Sequence, residues 1–183
     1  MTLANRITLI RLLLIPVFIV LVMMYTREQA WIRLTALAVF LVAAVSDGLD
    51  GFVARAYDQK TKLGAVLDPL ADKLLINLAF VFLAVNQELA TPVPRWMPVI
   101  ILSRDVIIVL GAYLINEYFG PFRARPRISG KLTTTFQMAS IIAVLLEVWF
   151  AYPLLLAMIA ISVISFFDYL YAGIRQVGDE DEA

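Results

Sequence analysis

The sequence predicts an all-α integral membrane protein: a six-transmembrane-helix bundle with both termini cytoplasmic. Three observations predict it. The 183 residues are 62% hydrophobic, with a mean hydropathy of +0.86, whereas a soluble domain is about half apolar. Six apolar runs approach the ~20 residues that a bilayer span needs. The basic residues divide unevenly between the two ends of those runs, as the positive-inside rule requires.

The first run, Ile7–Tyr25, lies in the opening MTLANRITLIRLLLIPVFIV. It has a positive n-region but no small-residue cleavage site, so it reads as a retained helix rather than a signal peptide. The second and third runs, Trp31–Ala56 and Gly64–Asn86, flank the basic, polar segment YDQKTK. The breaker TPVP (91–94) precedes the fourth, Trp96–Tyr118, and GPFRARPRISG (120–130) separates it from the fifth, Lys131–Phe150. The sixth, Pro153–Ile174, follows at once, and GDEDEA closes the chain. The expected organisation is one membrane domain, 1–175, and an acidic disordered tail, 176–183. An even number of spans puts both termini on one side. Arg6, Arg11, Arg55, Lys60, Lys62, Lys73, Arg123, Arg125, Arg127, Lys131 and Arg175 fall there, and only Arg27, Arg33 and Arg95 fall opposite. That side is therefore expected to be cytoplasmic. Tyr118, Phe119, Trp149, Phe150 and Tyr152 fit interfacial belts.

Composition narrows the chemistry. The formal net charge is zero, which gives no support to a nucleic-acid partner. There is no cysteine and no histidine, which removes disulfides, thiolate nucleophiles, the usual zinc sites and imidazole bases. Carboxylates, lysine and arginine, hydroxyls and bound metal remain.

The stretch Ser46–Lys73, SDGLDGFVARAYDQKTKLGAVLDPLADK, holds five aspartates between apolar flanks. Asp47 and Asp50, three apart, share one face at the end of the second helix. Asp68 and Asp72, four apart, share one at the start of the third. Folding these helices antiparallel would bring the pairs face to face. An aspartate at a helix centre costs ~2.5–3.5 kcal/mol on insertion scales, and four clustered carboxylates also repel one another. Arg55, Lys62 and Lys73 can pair with some of them. A pair of hard divalent cations, Mg²⁺ or Mn²⁺, fits the oxygen donors better, and two such ions can clamp both oxygens of a phosphoryl transfer. Gly48, Gly51, Ala54, Gly64 and Ala65 allow close helix approach and leave room for an anion. Ordinary helix-end ion pairing explains any one of these acids, but it does not explain four at two helical spacings with small residues beside them.

These residues read D-x2-D-G-x2-A-R-x8-G-x3-D-x3-D from Asp47 to Asp72. The pattern resembles the signature of the CDP-alcohol phosphotransferases, also called CDP-alcohol phosphatidyltransferases. The ANRITLIRLLLIP opening, the six spans and the SGKLTTTFQ segment are similar to that family as well. The resemblance implies that Asp47, Asp50 and Asp68 hold two divalent metals. It implies that Asp72 also touches metal and is the general base on the acceptor hydroxyl. The alkoxide then attacks the β-phosphorus of CDP-diacylglycerol, and CMP leaves. Asp50, Gly51, Ala54, Arg55, Lys62 and Gly64 would contact the CDP moiety, Arg55 offsetting diphosphate charge. The family also implies a homodimer, surrounding membrane lipids, and a site facing the cytoplasm of a bacterial inner membrane. Pro69 is awkward within a helix: either Asp68 caps the third helix or that helix kinks there.

Other marks lie outside the motif. Arg104-Asp105, deep in the fourth span, reads as an acceptor-binding arginine steered by its neighbour, or as an ion pair that only orients helices. Lys131, in GKLTT, is the member of the following basic segment expected to meet a phosphate. Asn5, Thr8 and Arg11 recur every three residues, as a polar seam against the site or an interfacial face. Asp168 has no specific role.

The acceptor is read by counting charge. Synthases that use glycerol 3-phosphate carry a second arginine after an R-E pair, and a GKxKT segment. This chain has LGAYL (110–114) and Gly130-Lys131-Leu132-Thr133-Thr134 in those places. Two cations for a dianionic phosphate are missing. The first expectation is therefore phosphatidylglycerol as acceptor, giving cardiolipin, as in the CDP-alcohol type of cardiolipin synthase. Glycerol 3-phosphate, as in phosphatidylglycerophosphate synthases, is the alternative. An alternative of another class is a small membrane carrier with intramembrane carboxylates. The cytoplasmic grouping of the acids and the lack of an inverted repeat count against it.

Overall fold

The computed structural model describes the backbone of residues 3–56, 62–118 and 128–181, and side chains within 8–46, 70–118 and 128–174. Six helices follow in order: α1 (Leu3–Met24), α2 (Ala30–Ala56), α3 (Lys62–Val85), α4 (Trp96–Tyr118), α5 (Ile128–Leu146) and α6 (Ala151–Asp181). Each corresponds to one expected span. Among the described residues, α4, α5 and α6 to Ile174 are long and apolar enough to cross a bilayer, and the apolar segments Thr8–Met24 and Ala30–Ser46 are shorter. No strand occurs among the described residues. The exposed surface is greasy: Val106 is 61%, Val109 70% and Trp149 90% accessible. A water-facing helix would show polar groups there.

Several boundaries differ from expectation, and two of them bear on the site and the tail. Helix α5 begins at Ile128, three residues before Lys131, so the SGK segment belongs to its first turn. Helix α6 continues to Asp181, so 176–181 is helical where a tail was expected. Pro69 does not end α3: the helix runs from Lys62 through Asp68 to Val85, so Asp68 lies inside the helix and does not cap it.

The chain forms two compact units, one of residues 1–95 with 141–148, the other of 96–140 with 149–183. In the first, α1 packs against α2 and α3, and α2 meets α3. Its centre is Phe18, Phe40, Leu75, Ile76, Phe80 and Leu83, all within 1% of full burial; the Phe18 and Phe40 rings lie 5.7 Å apart. Asn86, just past α3, stitches its end to that of α1, donating from Nδ2 to the carbonyls of Val22 (2.6 Å) and Tyr25 (3.1 Å). In the second unit, α4 packs against α6.

The first unit is also locked at the end of α5. The N–H of Val148 bonds the carbonyl of Ala143 and that of Glu147 the carbonyl of Val144, the two bonds of a Schellman cap. The left-handed position, φ 54°, is held by Glu147 rather than glycine, at a cost of about 1 kcal/mol. Its carboxylate offsets this. It pairs with Arg33 Nη1 at 3.0 Å and accepts from the Tyr25 hydroxyl at 3.0 Å. Glu147→Gly relieves the backbone but leaves the largely buried Arg33 without its counter-charge. We expect a net loss of about 2 kcal/mol, a fall of roughly 4–8 °C in Tm for a chain of this size. A rise in Tm of the detergent-solubilised variant would mean that backbone strain outweighs the ion pair.

Candidate active site

The motif divides between two helices that touch. Asp47, Asp50, Gly51, Ala54 and Arg55 lie on the last turns of α2, and Lys62, Gly64, Asp68 and Asp72 on the first turns of α3. Of these only Asp72 has a described side chain, and it is half-buried. The side chains of Asp47, Asp50, Gly51, Ala54, Arg55, Lys62, Gly64 and Asp68 lie outside the described residues, as does the RARPR segment. Among the described residues no group of three or more acidic side chains clusters.

Backbone register still orders the motif. On α2 the fully buried Ala36, Phe40 and Ala43 follow 4-3 spacing, and the same spacing continues to positions 47, 50 and 54. On α3 the buried Ile76, Ala79, Phe80 and Leu83 extend backward to positions 72 and 68. Both aspartate pairs therefore stand at register positions of the faces that build the core of the first unit. The donor set, four hard carboxylates on two contacting helices, fits Mg²⁺ or Mn²⁺.

Helix α1 reaches the same level. The Asn86 stitch joins the C-terminal ends of α1 and α3, so these contacting helices run parallel. Fourteen residues back from Tyr25 is Arg11, and fourteen back from Asn86 is Asp72, each ~21 Å along its helix. Thr8 is 1% and Arg11 0% exposed. Thr8 and Arg11 thus face the protein interior at the depth of Asp72, which favours the seam over the interfacial face for these two; the side chain of Asn5 lies outside the described residues. Periodicity found the repeat; only packing shows which way it points.

The second unit holds the expected acceptor residues. Arg104 is 8% exposed on α4. Its Nη1 bonds Asp105 Oδ1 at 2.7 Å and its Nη2 bonds Ser165 Oγ on α6 at 2.7 Å. Its guanidinium carbon stands 5.9 Å from the Tyr169 ring centroid, within cation–π range. Nε of Arg104 has no hydrogen-bond partner, and the residue lines a cavity of ≈ 150 Å³ with Ile107, Ser162 and Phe166. Lys131 is exposed on α5. Asp168, without a role in the sequence, accepts from Ser129 Oγ at 2.7 Å. Ser165 and Tyr169 were missed by sequence reasoning. Their spacing with Asp168, i, i+3 and i+4 in an apolar span, is the signal that marks them.

Thr133 stands where the charge count placed a missing lysine. It is fully buried and its hydroxyl donates to the carbonyl of Ser129 at 2.9 Å.

The sequence model of the CDP-alcohol phosphatidyltransferases matches residues 1–170. The chain belongs to this family. A Mycobacterium tuberculosis protein named as a probable phosphatidylglycerophosphate synthase is 33% identical over 182 residues, covering 96% of this chain and 83% of that protein. The Bacillus subtilis CDP-diacylglycerol–glycerol-3-phosphate 3-phosphatidyltransferase is 34% identical over 157 residues, 79% of this chain and 77% of that enzyme. The Aquifex aeolicus enzyme of the same name is 34% identical over 146 residues, 79% and 75% of the two chains. Membership in a phosphatidyltransferase family sets the carrier alternative aside: the chain is an enzyme that transfers a phosphatidyl group from a CDP-alcohol.

Proposed function

We propose that the chain is a phosphatidylglycerophosphate synthase, moving the phosphatidyl group of CDP-diacylglycerol to glycerol 3-phosphate with release of CMP. The observation that carries this reading is that relatives matching 96% and 79% of the chain are named as a probable phosphatidylglycerophosphate synthase and a CDP-diacylglycerol–glycerol-3-phosphate 3-phosphatidyltransferase.

Asp47, Asp50, Asp68 and Asp72 would hold two divalent cations, Mg²⁺ or Mn²⁺. When bound, they supply charge neutralisation at the diphosphate. Arg55 and Lys62 add cationic charge beside it, and Gly51, Ala54 and Gly64 leave room for the nucleotide. Asp72 removes the proton from a hydroxyl of the acceptor. That oxygen bonds the β-phosphorus as the bond to the CMP oxygen breaks, and CMP carries away the electron pair. Arg104, held by Asp105, and Lys131 bind the acceptor phosphate. The site faces the cytoplasm of a bacterial inner membrane in a six-span chain with cytoplasmic termini, and the enzyme is a homodimer among membrane lipids.

The test is purified protein with CDP-diacylglycerol, Mg²⁺ or Mn²⁺, and separate acceptors, reading CMP release and the lipid formed. Glycerol 3-phosphate is expected to give phosphatidylglycerophosphate. Cardiolipin from phosphatidylglycerol, with glycerol 3-phosphate ignored, overturns the reading.

A further inference from the structure

We propose that one face of α6, formed by Ser165, Asp168 and Tyr169, is the template that positions the two cationic acceptor groups, Arg104 on α4 and Lys131 on α5. The inference rests on the reading of Arg104 and Lys131 as acceptor-binding residues. The three α6 residues are positioning residues: they act through the groups they hold.

Three contacts carry it. Ser165 Oγ takes Nη2 of Arg104 at 2.7 Å, opposite the Asp105 bond on Nη1. With the Tyr169 ring 5.9 Å from its carbon, the guanidinium is restrained from three sides, and Nε is among its donors left unbonded. Asp168 Oδ2 holds Ser129 Oγ at 2.7 Å, in the first turn of α5 and two residues before Lys131. Tyr169 links both. A Cβ on Gly130 would lie 2.9 Å from Tyr169 Oη, but at ordinary contact distance, 3.5 and 3.6 Å, from ring carbons Cε2 and Cζ. Glycine at 130 thus lets α5 seat against the same tyrosine that lies under Arg104. Because i, i+3 and i+4 share a helical face, one rigid helix sets the spacing between a buried arginine and the start of the helix carrying the lysine. A flexible arginine held in advance loses less freedom when phosphate binds.

The test is steady-state kinetics on the full-length enzyme with CDP-diacylglycerol and glycerol 3-phosphate, each varied in turn. Ser165→Ala should raise the KM for glycerol 3-phosphate about tenfold, the loss of one hydrogen bond to a charged group. The kcat and the KM for CDP-diacylglycerol should stay within about twofold. Ser165→Thr, which keeps the hydroxyl, should hold the acceptor KM close to that of the unsubstituted enzyme. Gly130→Ala should also raise the acceptor KM, Tyr169→Phe alone should change it little, and the double variant should recover, because removing Oη removes the clash. If Ser165→Ala shifts both substrates equally, or Tyr169→Phe fails to rescue Gly130→Ala, the template is wrong. Arg104→Ala separates the two levels. An unchanged acceptor KM there overturns the acceptor reading itself. A raised KM there, with silent α6 variants, overturns only the template.

Discussion

Asp72→Asn is expected to abolish turnover while leaving CDP-diacylglycerol binding largely in place. An amide oxygen can still act as a ligand, so the residue's part in holding cations is only weakened. An amide cannot take a proton, and general-base catalysis contributes about 10²–10⁴-fold, so kcat should fall by ~10³-fold or more. The chain has no histidine or cysteine to substitute. Asp72 stands in the first half of α3 and is half-buried, on the core-facing register and level with Arg11. Asp47→Asn and Asp68→Asn should behave differently, weakening cation binding itself, so that excess Mn²⁺ recovers part of their activity. Equal rescue of Asp72→Asn by high Mn²⁺ would show that Asp72 is a ligand and not the base.

Removal of divalent cations is expected to have an effect as large. Four carboxylates on two contacting helices, meeting a diphosphate, place like charges together. Without counter-ions, mutual repulsion works against binding the second anion. Chelation with EDTA should therefore reduce CMP release to about 1% or less, and Mg²⁺ or Mn²⁺ should restore it. Direct Mn²⁺ binding to the purified protein, measured by its paramagnetic signal, should be lost in step in Asp47→Asn. Full turnover in chelator would remove the two-cation reading.

The candidate site was legible as a pattern because helical spacing is a local property. The aspartates recur at three and four residues, so their sharing of a face follows from 3.6 residues per turn before any tertiary contact exists. The Arg104-Asp105 pair was legible for a similar reason: a charge in an apolar run must find a partner, and the adjacent carboxylate was the nearest. The charge count and the relatives point to different acceptors, because counting charges treats every polar position as facing the ligand. Thr133 is buried and bonded to its own helix, and nothing in GKLTT announces this. The relatives, not the charge count, favour glycerol 3-phosphate.

The sequence by itself determined six helices, their membrane character, the motif helices and the family. Each of these depends on hydropathy, local periodicity or a contiguous pattern. Tertiary structure alone decided that Thr8 and Arg11 turn inward, that Glu147 closes α5 in a left-handed conformation held by Arg33 and Tyr25, and that Ser165, Asp168 and Tyr169 hold α4 and the start of α5. These pairings join residues up to 122 positions apart. Apolar helices carry little information about their azimuth when lipid accepts almost any greasy face. Which face turns inward is settled only by the few polar groups that must find one another where water cannot satisfy them.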